Sequence, residues 1–307
     1  MSKVIDGRGL AERLRIDLLA RARSLSGRRG SAPGLAVILV GGDPASAVYV
    51  RNKIRACDAV GIRSTRRTFP ATVGNTELLG TIAELNRDPA IDGILVQLPL
   101  PKHINQDAVL ETIAVEKDVD GFHLYNVGGL VTGNTIVSPC TPYGVVKLLE
   151  SESIPIEGQN VVVVGASNIV GKPMALMLMA RGATVAICHA KTRDLAQFTI
   201  LADILVVAAG VPNLIVPQMV KTGAVVIDVG INRLPDGRIT GDVAFDGVAA
   251  KASRITPVPG GVGPMTVTML LENTIASAER SLARRSAPTL SDREAGFLDA
   301  AGHAPPA

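Results

Sequence analysis

Polar side chains that could take part in catalysis lie in two segments of the N-terminal third of the chain. Tyr49 and Lys53 are four residues apart in a segment with helical spacing, so they share one face of the predicted helix. That face lies roughly a quarter turn from the centre of the apolar stripe, beside the core. For an arbitrary pair of this kind, an exposed lysine and a half-buried tyrosine would be favoured by about four to one. Gln97 follows a predicted buried strand, where open α/β sheets bind ligands, although a glutamine that bonds the loop backbone is about equally expected there.

Two aspartates, Asp118 and Asp120, lie in the sequence KDVDGFH and form a second candidate group. The pattern is similar to the start of a calcium loop, but Gly129 occupies the position that would need a bidentate acid, so no metal site is predicted. The aspartates are then turn-forming residues, or one of them is a carboxylate that faces a cleft. His123 and His189 lack partners at the spacing of a catalytic triad, and neither is assigned a catalytic role.

A glycine-containing turn is the candidate for phosphate binding. Four consecutive valines at 161–164 predict a strand buried on both faces, and a helix is predicted over 173–180. Between them lie Gly165 and Gly171, with Ser167 where the usual G-x-G-x-x-G motif has its second glycine. Such a turn leaves helix N–H groups free for a pyrophosphate. By itself it is equally compatible with an ordinary strand–helix connection.

A second glycine-rich segment, PVPGGVGP at 257–264, precedes a long helix predicted from Pro264 to Leu282. Its glycines allow the backbone to approach a ligand closely, and the first turn of the helix offers free N–H groups. A flexible connector between domains is an equally good interpretation.

Alternating helices and strands surround these residues, which is typical of a parallel α/β sheet. The predicted helices of the first unit span 10–25, 46–60, 75–85 with Asn75 as N-cap, and 106–114, and its strands span 35–40, 65–69 and 91–96. Residues 116–140 are predicted to be irregular, and Thr141 is the predicted N-cap of the next helix. The strands of the second unit are predicted at 161–165, 183–188, 203–208 and 224–229. The expected domains are 1–140 with 265–285 and 141–264, followed by a disordered tail at 286–307.

Composition excludes several classes of protein. The 307 residues carry a net charge of only +3, which argues against a nucleic-acid surface. No apolar run is long enough to cross a membrane, and the first twenty or so residues lack the apolar stretch of a signal peptide. Cys57, Cys140 and Cys188 show no metal-binding spacing and fit packing residues in a reducing cytoplasm.

Nine segments, in this order, resemble the bifunctional 5,10-methylenetetrahydrofolate dehydrogenase/5,10-methenyltetrahydrofolate cyclohydrolase family. They are VGGDPAS (40–46), YVRNK (49–53), GILVQLPLP (93–101), KDVDGFH (117–123), PCTPYG (139–144), VVGASNIVGKP (163–173), VVIDVGIN (225–232), GDV (241–243) and PGGVGPMT (259–266). The resemblance covers residues 1 to about 284. It implies two α/β domains with a cleft between them, the second Rossmann-like, and a homodimer.

The resemblance also implies the site. Lys53 would be the central catalytic residue with Gln97 as its hydrogen-bonding neighbour, Tyr49 would stack on the folate, and Asp120 would bind the pterin edge. The implied substrate-binding residues are Tyr49, Lys53, Gln97, Leu98, Asp120 and Pro264, and the implied cofactor-binding residues are Gly165, Ala166, Ser167, Ile169, Lys191, Ile231 and Gly261. The implied reactions are hydride transfer from methylenetetrahydrofolate to NADP and hydrolysis of the methenyl product to 10-formyltetrahydrofolate. A lysine in a partly desolvated cleft suits the proton transfer of the second step.

The cofactor segment departs from the family pattern. Members resemble one of two arrangements, with Arg at the position of Ala166 and Ser at that of Ala190, or with Ala and Arg there. This chain has Ala at both. No acid follows the second strand, where an NAD site would place one, and Lys172, Lys191 and Arg193 are the nearby cations. We therefore expect NADP, held less tightly, with NAD as the alternative.

Two other functions compete with this one. Another two-domain nicotinamide-dependent dehydrogenase, of the shikimate or amino-acid type, would explain 161–173 but not the set of Tyr49, Lys53, Gln97 and Asp120. A non-catalytic nucleotide sensor is supported only by the missing arginine.

Overall fold

Strands and helices alternate along most of the computed structural model, which describes residues 3–286. The strands are β1 (Lys3–Val4), β2 (Gly34–Val40), β3 (Arg63–Phe69), β4 (Gly93–Val96), β5 (Asn160–Val164), β6 (Thr184–Cys188), β7 (Ile204–Val207), β8 (Val225–Asp228), β9 (Asn232–Arg233), β10 (Ile239–Thr240) and β11 (Arg254–Ile255). The α-helices are α1 (Gly7–Arg29), α2 (Pro44–Ala59), α3 (Asn75–Arg87), α4 (Gln106–Thr112), α5 (Leu124–Thr132), α6 (Cys140–Ser151), α7 (Gly171–Met179), α8 (Leu195–Thr199), α9 (Phe245–Ala249) and α10 (Val262–Ser286). Single 3₁₀ turns span Val115–Lys117 and Pro217–Met219.

The first sheet is parallel, with strand order β3-β2-β4. Every residue of the central strand β2 is buried, as expected for a strand covered on both faces. Leu35, Val37 and Leu39 pack in one hydrophobic cluster with α1, α2 and α10. Ala36 and Ile38, on the other face, pack with α3 and α4. Helix α10 thus covers a sheet that is built from residues far earlier in the chain.

The second sheet is also parallel, with strand order β1-β11-β8-β7-β5-β6. The four valines at 161–164 are buried, as their uninterrupted run predicts. Strand β1 pairs with β11, so Lys3 and Val4 lie in this sheet, although the sequence prediction assigns residues 1–140 to the first domain. The proposed boundaries of the two domains otherwise remain a prediction.

Three sequence predictions about helices are wrong. Helix α5 lies inside 116–140, which was expected to be irregular; its two exposed apolar residues at the start and its paired glycines hide the helical period. Asn75 is the first residue of α3, which Gly74 precedes as N-cap, and its side chain bonds the loop at His103 and Asn105 instead. Thr141 does not cap α6.

The helix α6 begins one residue earlier, at Cys140. The hydroxyl of Thr141 therefore lies inside the helix, 3.0 Å from that of Thr266 on α10. Helix α10 itself begins at Val262, two residues before the predicted start at Pro264. The tail expected over 286–307 lies outside the described residues, apart from Ser286 at the end of α10.

Candidate active site

A cavity of about 320 Å³ opens where loops from the two sheets meet. The first sheet contributes α2, which follows β2, and the loop after β4. The second sheet contributes the loops after β5 and β8. The cavity is lined by Tyr49, Lys53, Gln97, Leu98, Asp120, Phe122, Cys140, Thr141, Ile169, Val170, Val229, Ile231, Val262, Gly263, Thr266 and Val267. The cavity therefore lies at the carboxyl ends of strands, where parallel α/β folds bind ligands.

Lys53 and Gln97 form the polar centre of this cavity. The ammonium group of Lys53 donates a hydrogen bond of 3.2 Å to Gln97 Oε1. Gln97 Nε2 donates in turn to the carbonyl oxygen of Leu98 at 2.7 Å, which turns the amide oxygen toward the lysine. Gln97 thus bonds the loop backbone and also faces the cavity. The sequence left open whether it is a ligand-site residue or a loop-bonding glutamine, and its position is compatible with both.

Lys53 and Tyr49 share one face of α2, and their burial is the reverse of the ordinary expectation of an exposed lysine and a half-buried tyrosine. Lys53 is 9% exposed, whereas Tyr49 is 40% exposed at the mouth of the cavity. A lysine is rarely buried unless a partner or a function holds it there. The position of Lys53 is therefore the first indication of chemistry in the structure.

Asp120 shares the cavity with Lys53, and its carboxyl group is unusually hard to ionise. Burial raises the pKa of Asp120 to about 6, and the nearby charge of Asp118 acts in the same direction. The positive charge of Lys53 and a hydrogen bond with Cys140 lower this pKa but do not cancel the effect of burial. A carboxyl group of this kind can be charged or neutral near neutral pH.

Asp118 has a structural role instead. Its carboxylate accepts hydrogen bonds from the backbone N–H of Gly121 at 3.1 Å and of His123 at 2.8 Å, and from Asn126 Nδ2 at 2.9 Å. Of the two aspartates in KDVDGFH, Asp118 forms the turn and Asp120 faces the cavity. Both alternatives considered for this pair are thus realised, one in each residue.

Cys140 and its neighbours are residues that the sequence does not single out for the site. The Cys140 thiol donates to the carbonyl oxygen of Val119 at 3.2 Å and accepts from Asn273 Nδ2 at 3.5 Å. Burial, and then the charge of Asp120, raise the pKa of this thiol well above its usual range. Asn273 also donates to the Val119 carbonyl oxygen at 2.9 Å, so α10 fixes the backbone beside Asp120. The one sequence signal is the position of Cys140 in PCTPYG, a segment that carries the family resemblance.

The glycine turn after β5 is tightly closed. Gly165 has φ of 123°, and a Cβ atom there would overlap the carbonyl oxygen of Ala208. A Cβ atom on Gly171 would likewise overlap the carbonyl oxygen of Gly165. Both positions therefore require glycine.

The Ser167 side chain bonds backbone N–H groups at the start of the helix that follows this turn. Its Oγ accepts from the N–H groups of Val170 at 3.2 Å and Gly171 at 3.4 Å. The expectation that these N–H groups are free is thus wrong, because the side chain in the place of the second motif glycine occupies them. Of this turn, Ile169 and Val170 reach the lining of the cavity.

The remaining predicted residues lie around the cavity rather than in its lining. Gly261 is buried, and the carbonyl oxygen of Pro264 accepts from Thr268 Oγ1 at 3.0 Å. Val262 and Gly263 of the same loop do line the cavity. Gly165, Ala166, Ser167 and Lys191 lie outside the lining as well.

Cations remain available beside the glycine turn. Lys191 and Arg193 are exposed and form no ion pair among the described residues. The Lys172 ammonium group donates to Asn168 Oδ1 at 2.7 Å. The backbone N–H of Lys191 donates to Nδ1 of His189 at 3.2 Å, which gives that histidine a structural contact.

Two buried carboxylates hold the second-sheet wall of the cavity together. Asp228, at the end of β8, accepts from the N–H groups of Gly230, Asp242 and Val243, each at 3.0 Å. Burial raises the pKa of Asp228 to about 6 despite these hydrogen bonds. The segment that carries Val229 and Ile231 is thus fixed by its own aspartate.

Asp242 connects that segment to the loop after β7. It is completely buried, and its Oδ2 accepts from the N–H groups of Ala209 at 2.6 Å and Gly210 at 2.8 Å. Its Oδ1 accepts from Asn232 Nδ2 at 2.7 Å. One side chain therefore sets the positions of the loops after β7 and β8, next to Ile231.

Within residues 3–286, no cluster of three or more His, Cys, Asp or Glu side chains has the arrangement of a metal site. In the same range, no helix combines the length and apolarity that a membrane span requires.

The fold and the cavity define a two-domain α/β dehydrogenase-type protein, in which a Rossmann-like sheet with a glycine turn faces a unit that carries a buried lysine. The family model "tetrahydrofolate dehydrogenase/cyclohydrolase, catalytic domain" matches residues 5–120, and the NAD(P)-binding domain model of the same family matches residues 139–282. The chain belongs to the tetrahydrofolate dehydrogenase/cyclohydrolase family.

Relatives support this assignment over nearly the whole chain. The bifunctional protein FolD of Nitrosospira multiformis is 60% identical over 283 residues, which are 92% of this chain and 98% of that protein. The crystal structure of bifunctional FolD from Campylobacter jejuni has a TM-score of 0.90 and 51% identity, and the match covers 91% of this chain and 99% of the other. The FolD structure of Trypanosoma brucei, complexed with NADP and an inhibitor, has a TM-score of 0.88 and 41% identity, covering 92% and 98%.

The chain is thus an enzyme with methylenetetrahydrofolate dehydrogenase and methenyltetrahydrofolate cyclohydrolase activities. The identity to bifunctional relatives extends across both units. A shikimate-type or amino-acid-type dehydrogenase and a non-catalytic sensor are not favoured, because neither accounts for the match of both family domains.

Replacing Asp120 by asparagine should stabilise the folded protein at high pH. The pKa of this carboxyl is raised in the folded state, from 3.8 to about 6. Its contribution to stability is therefore fully present below about pH 4 and is lost as the pH rises through about 6. A shift of about two units corresponds to about 3 kcal/mol. Urea denaturation should show that Asp120→Asn raises the free energy of unfolding by up to this amount at pH 8 and by much less at pH 4.5.

Asp118→Asn is the matched control for this experiment. The substitution replaces a carboxylate that accepts three hydrogen bonds by an amide, which accepts them less well. It should therefore lower the free energy of unfolding at pH 8. A loss of stability in Asp120→Asn at pH 8, equal to that in Asp118→Asn, would contradict the assignment of Asp120 as a costly buried carboxyl.

Replacing Asp242 by asparagine should separate the two activities. The amide NH₂ would face the NH₂ group of Asn232 or the two backbone N–H groups, so at least one hydrogen bond is lost and the wall at Ile231 loosens. We expect dehydrogenase kcat/KM to fall by about tenfold or more, equivalent to about 1.4 kcal/mol. Cyclohydrolase activity, assayed without cofactor, should stay within about twofold.

The exposed Asp246, in α9 of the same unit, provides the control Asp246→Asn, which should leave both activities unchanged. Equal losses of dehydrogenase and cyclohydrolase activity in Asp242→Asn would indicate general unfolding and would exclude a role specific to the nicotinamide side.

Proposed function

We propose that the cavity oxidises 5,10-methylenetetrahydrofolate with NADP and then hydrolyses the methenyl product to 10-formyltetrahydrofolate, as a step of one-carbon folate metabolism. The observation that carries the assignment of residues is the buried Lys53, hydrogen-bonded to Gln97 in one cavity with Asp120. The proposal adds the roles of individual side chains to the activities that the family assignment gives.

NADP, when bound, accepts the hydride that leaves the one-carbon bridge of the folate. The chain offers features that fit such a cofactor: a closed glycine turn, and apolar side chains that suit a flat ring. Those side chains are Ile169, Val170, Val229 and Ile231 in the cavity lining. They exclude water from one side of the cavity and orient the two reacting carbons, which is the main requirement of hydride transfer.

Tyr49 and Asp120 would hold the folate on the opposite side. Tyr49 is half-exposed at the mouth of the cavity, where its ring can stack on the pterin or aminobenzoate group. Asp120 provides acceptor oxygens for the N–H groups of the pterin edge, and an ionised carboxylate accepts such bonds strongly. Leu98 adds apolar contact beside Gln97.

Lys53 would transfer the proton in the hydrolytic step. Water forms a new C–O bond at the methenyl carbon of the cation and releases one proton to solvent, which gives a neutral carbinolamine. The hydroxyl group then loses its remaining proton as the C=O bond forms and one C–N bond breaks, and the leaving nitrogen gains a proton. Lys53 Nζ is the proton-transferring group, and its side chain is almost fully buried. Gln97 orients Lys53 through the 3.2 Å hydrogen bond.

The preference for NADP is supported by charge. A 2′-phosphate favours basic residues, and an NAD site places an acid at the end of the second strand. Here no acid directly follows β6 in the sequence, and Lys191 and Arg193 are exposed without ion pairs among residues 3–286. A relative of 41% identity was crystallised with NADP. Since Ala166 and Ala190 contribute no charge, the hold on the phosphate is expected to be weaker.

Three further properties belong to the proposal. The domains comprise 1–140 with 265–285 and 141–264, apart from the two residues of β1 that pair with the second sheet. The protein forms a homodimer, as the family resemblance implies. It works in the cytoplasm, which its three free, buried cysteines favour because a reducing compartment keeps thiols reduced.

Steady-state kinetics with purified protein and methylenetetrahydrofolate tests the cofactor assignment. Reduced cofactor should form first, followed by methenyl and formyl products, and kcat/KM should be higher with NADP than with NAD because the nearby cations favour the 2′-phosphate. A higher kcat/KM with NAD would refute the NADP preference, and no turnover with either cofactor would refute the whole proposal.

Lys53→Met should abolish hydrolysis of methenyltetrahydrofolate while the protein stays folded. Methionine keeps the length and apolar stem of the side chain but cannot transfer a proton, so a loss of about a hundredfold or more is expected for a general acid–base group. Circular dichroism and the thermal midpoint would verify folding, and the exposed Lys172→Met is the matched control. Wild-type hydrolysis in Lys53→Met would remove Lys53 from the mechanism.

A further inference from the structure

A second cavity, also of about 320 Å³, lies at the other end of β4. Gln97 follows the carboxyl end of this strand, whereas Asp92 immediately precedes its amino end. The cavity is formed by the end of α3, the start of β4, the 3₁₀ turn at 115–117 and the last turns of α10. Its charged lining residues are Asp92, Glu116, Lys117, Arg280, Arg284 and Arg285. The two cavities share no lining residue.

Both carboxylates of the second cavity already have cationic partners. Asp92 forms a buried ion pair with Arg29, whose Nη1 lies 2.7 Å from each carboxylate oxygen. Glu116 forms an ion pair with Arg284 at 2.8 Å. The other cations of the wall therefore form no ion pair with either acid, although both acids act on Lys117 and Glu116 also acts on Arg280 through longer-range electrostatics.

Lys117 and Arg285 have only neutral hydrogen-bond partners among the described residues, although the charges of Asp92, Asp88 and Glu116 act on Lys117 from a longer distance. The ammonium group of Lys117 donates to the backbone carbonyl oxygens of Leu85 at 3.0 Å and Asp88 at 2.8 Å. Arg285 Nη2 donates to the carbonyl oxygen of Pro89 at 3.4 Å. Burial is the main cause that lowers the pKa of Lys117, so this charge is held in a partly desolvated position.

Arg280 is the least satisfied cation of the cavity. Its Nε and Nη2 atoms are buried and have no hydrogen-bond partner among residues 3–286. Burial and the charge of Arg284 lower the pKa of Arg280, although Glu279 and Glu116 act in the opposite direction. A buried N–H donor without an acceptor is costly. The described residues supply no acceptor for Nε and Nη2 of Arg280, so an acceptor would have to come from a ligand.

We infer that this second cavity, lined by Lys117, Arg280, Arg284 and Arg285 and called the arginine cavity below, binds a small phosphate-bearing molecule. Three cations without a carboxylate partner give it a positive field. The planar donor fork of arginine matches the geometry of phosphate oxygens. Its volume lies at the lower end of the range for ligand pockets, so the ligand is a small phosphate or diphosphate compound rather than a dinucleotide. Arg280 lines the cavity and brings to it two N–H-bearing nitrogen atoms, Nε and Nη2, that no described residue accepts from.

Calorimetric titration of the full chain with pyrophosphate tests this inference. Saturating NADP is present throughout, so that the glycine turn is not titrated. We expect one pyrophosphate per chain, weaker binding of inorganic phosphate, and at least about tenfold weaker pyrophosphate binding in Arg280→Met, as expected for the loss of one charge-assisted hydrogen bond. Without pyrophosphate, the same variant should have a higher thermal midpoint than the wild type, because an apolar side chain replaces an unsatisfied buried cation.

These two opposite effects separate a ligand-binding residue from a structural one. A lower midpoint in Arg280→Met would mean that the arginine stabilises the unliganded fold and would overturn the inference, as would the absence of any pyrophosphate binding. Citrate that binds as tightly as pyrophosphate would overturn the assignment to phosphate.

Two further variants locate the site. Arg285→Gln changes an exposed position and should also weaken pyrophosphate binding, which keeps the inference testable if Arg280→Met does not fold. Lys191→Met, beside the glycine turn, should leave the affinity for pyrophosphate unchanged. Binding that is lost in Lys191→Met but kept in both arginine variants would place pyrophosphate at the cofactor turn and overturn the inference. Dehydrogenase and cyclohydrolase activities without pyrophosphate should be unchanged in Arg280→Met.

Discussion

Parallel strand pairing is the constraint on which the active site depends. Both main sheets are wholly parallel, so the carboxyl ends of their strands lie at one edge of each sheet. The two edges face each other across the cavity, where Gln97 from one sheet and Ile231 from the other meet although more than a hundred residues separate them in sequence. The chemistry therefore does not come from a local motif. It comes from bringing together the ends of strands whose own residues are chosen for burial.

The proposed ligand sites contain charged groups that are poorly compensated by the surrounding protein. Asp118 shows what a satisfied buried carboxylate looks like, with three hydrogen bonds from its own loop. Asp120, two residues away, is partly buried, and its pKa is raised to about 6. Lys53 beside it has a single amide oxygen as its hydrogen-bond partner among the described residues. Groups of this kind lower the stability of the free protein and are most readily explained by a ligand that supplies what they lack.

Sequence reasoning predicted elements well where burial sets the pattern. Uninterrupted apolar runs such as 161–164 indicated strands, and the alternation with helices indicated the parallel α/β class. Helix α5 was not predicted because exposed apolar residues and glycines obscure its helical periodicity. The burial of Lys53 also could not be read from spacing, since the periodicity placed its face beside the core without showing what would cover it.

Contacts between distant segments set the harder limit. Cys140 looked like a packing residue and lines the cavity, because α10 and the 118–123 loop meet beside it. Ser167 occupies the place of the second glycine of the motif, and its hydroxyl oxygen accepts from N–H groups at the start of the helix. Arg280 has no sequence signal at all, since its neighbours at 114–117 and 86–92 are reached only through the fold. The spacing of residues within one segment cannot predict contacts between segments that are distant in sequence.

The packing of α10 has a consequence for how the protein is made. One face of β2, at Leu35 and Val37, belongs to the same hydrophobic cluster as Leu270 and Ile275, which leave the ribosome more than two hundred residues later. That face of the first sheet is therefore covered only by α1 and α2 until α10 has been synthesised. During this interval the nascent chain exposes apolar surface of the first unit, which chaperones or its own second domain would have to shield.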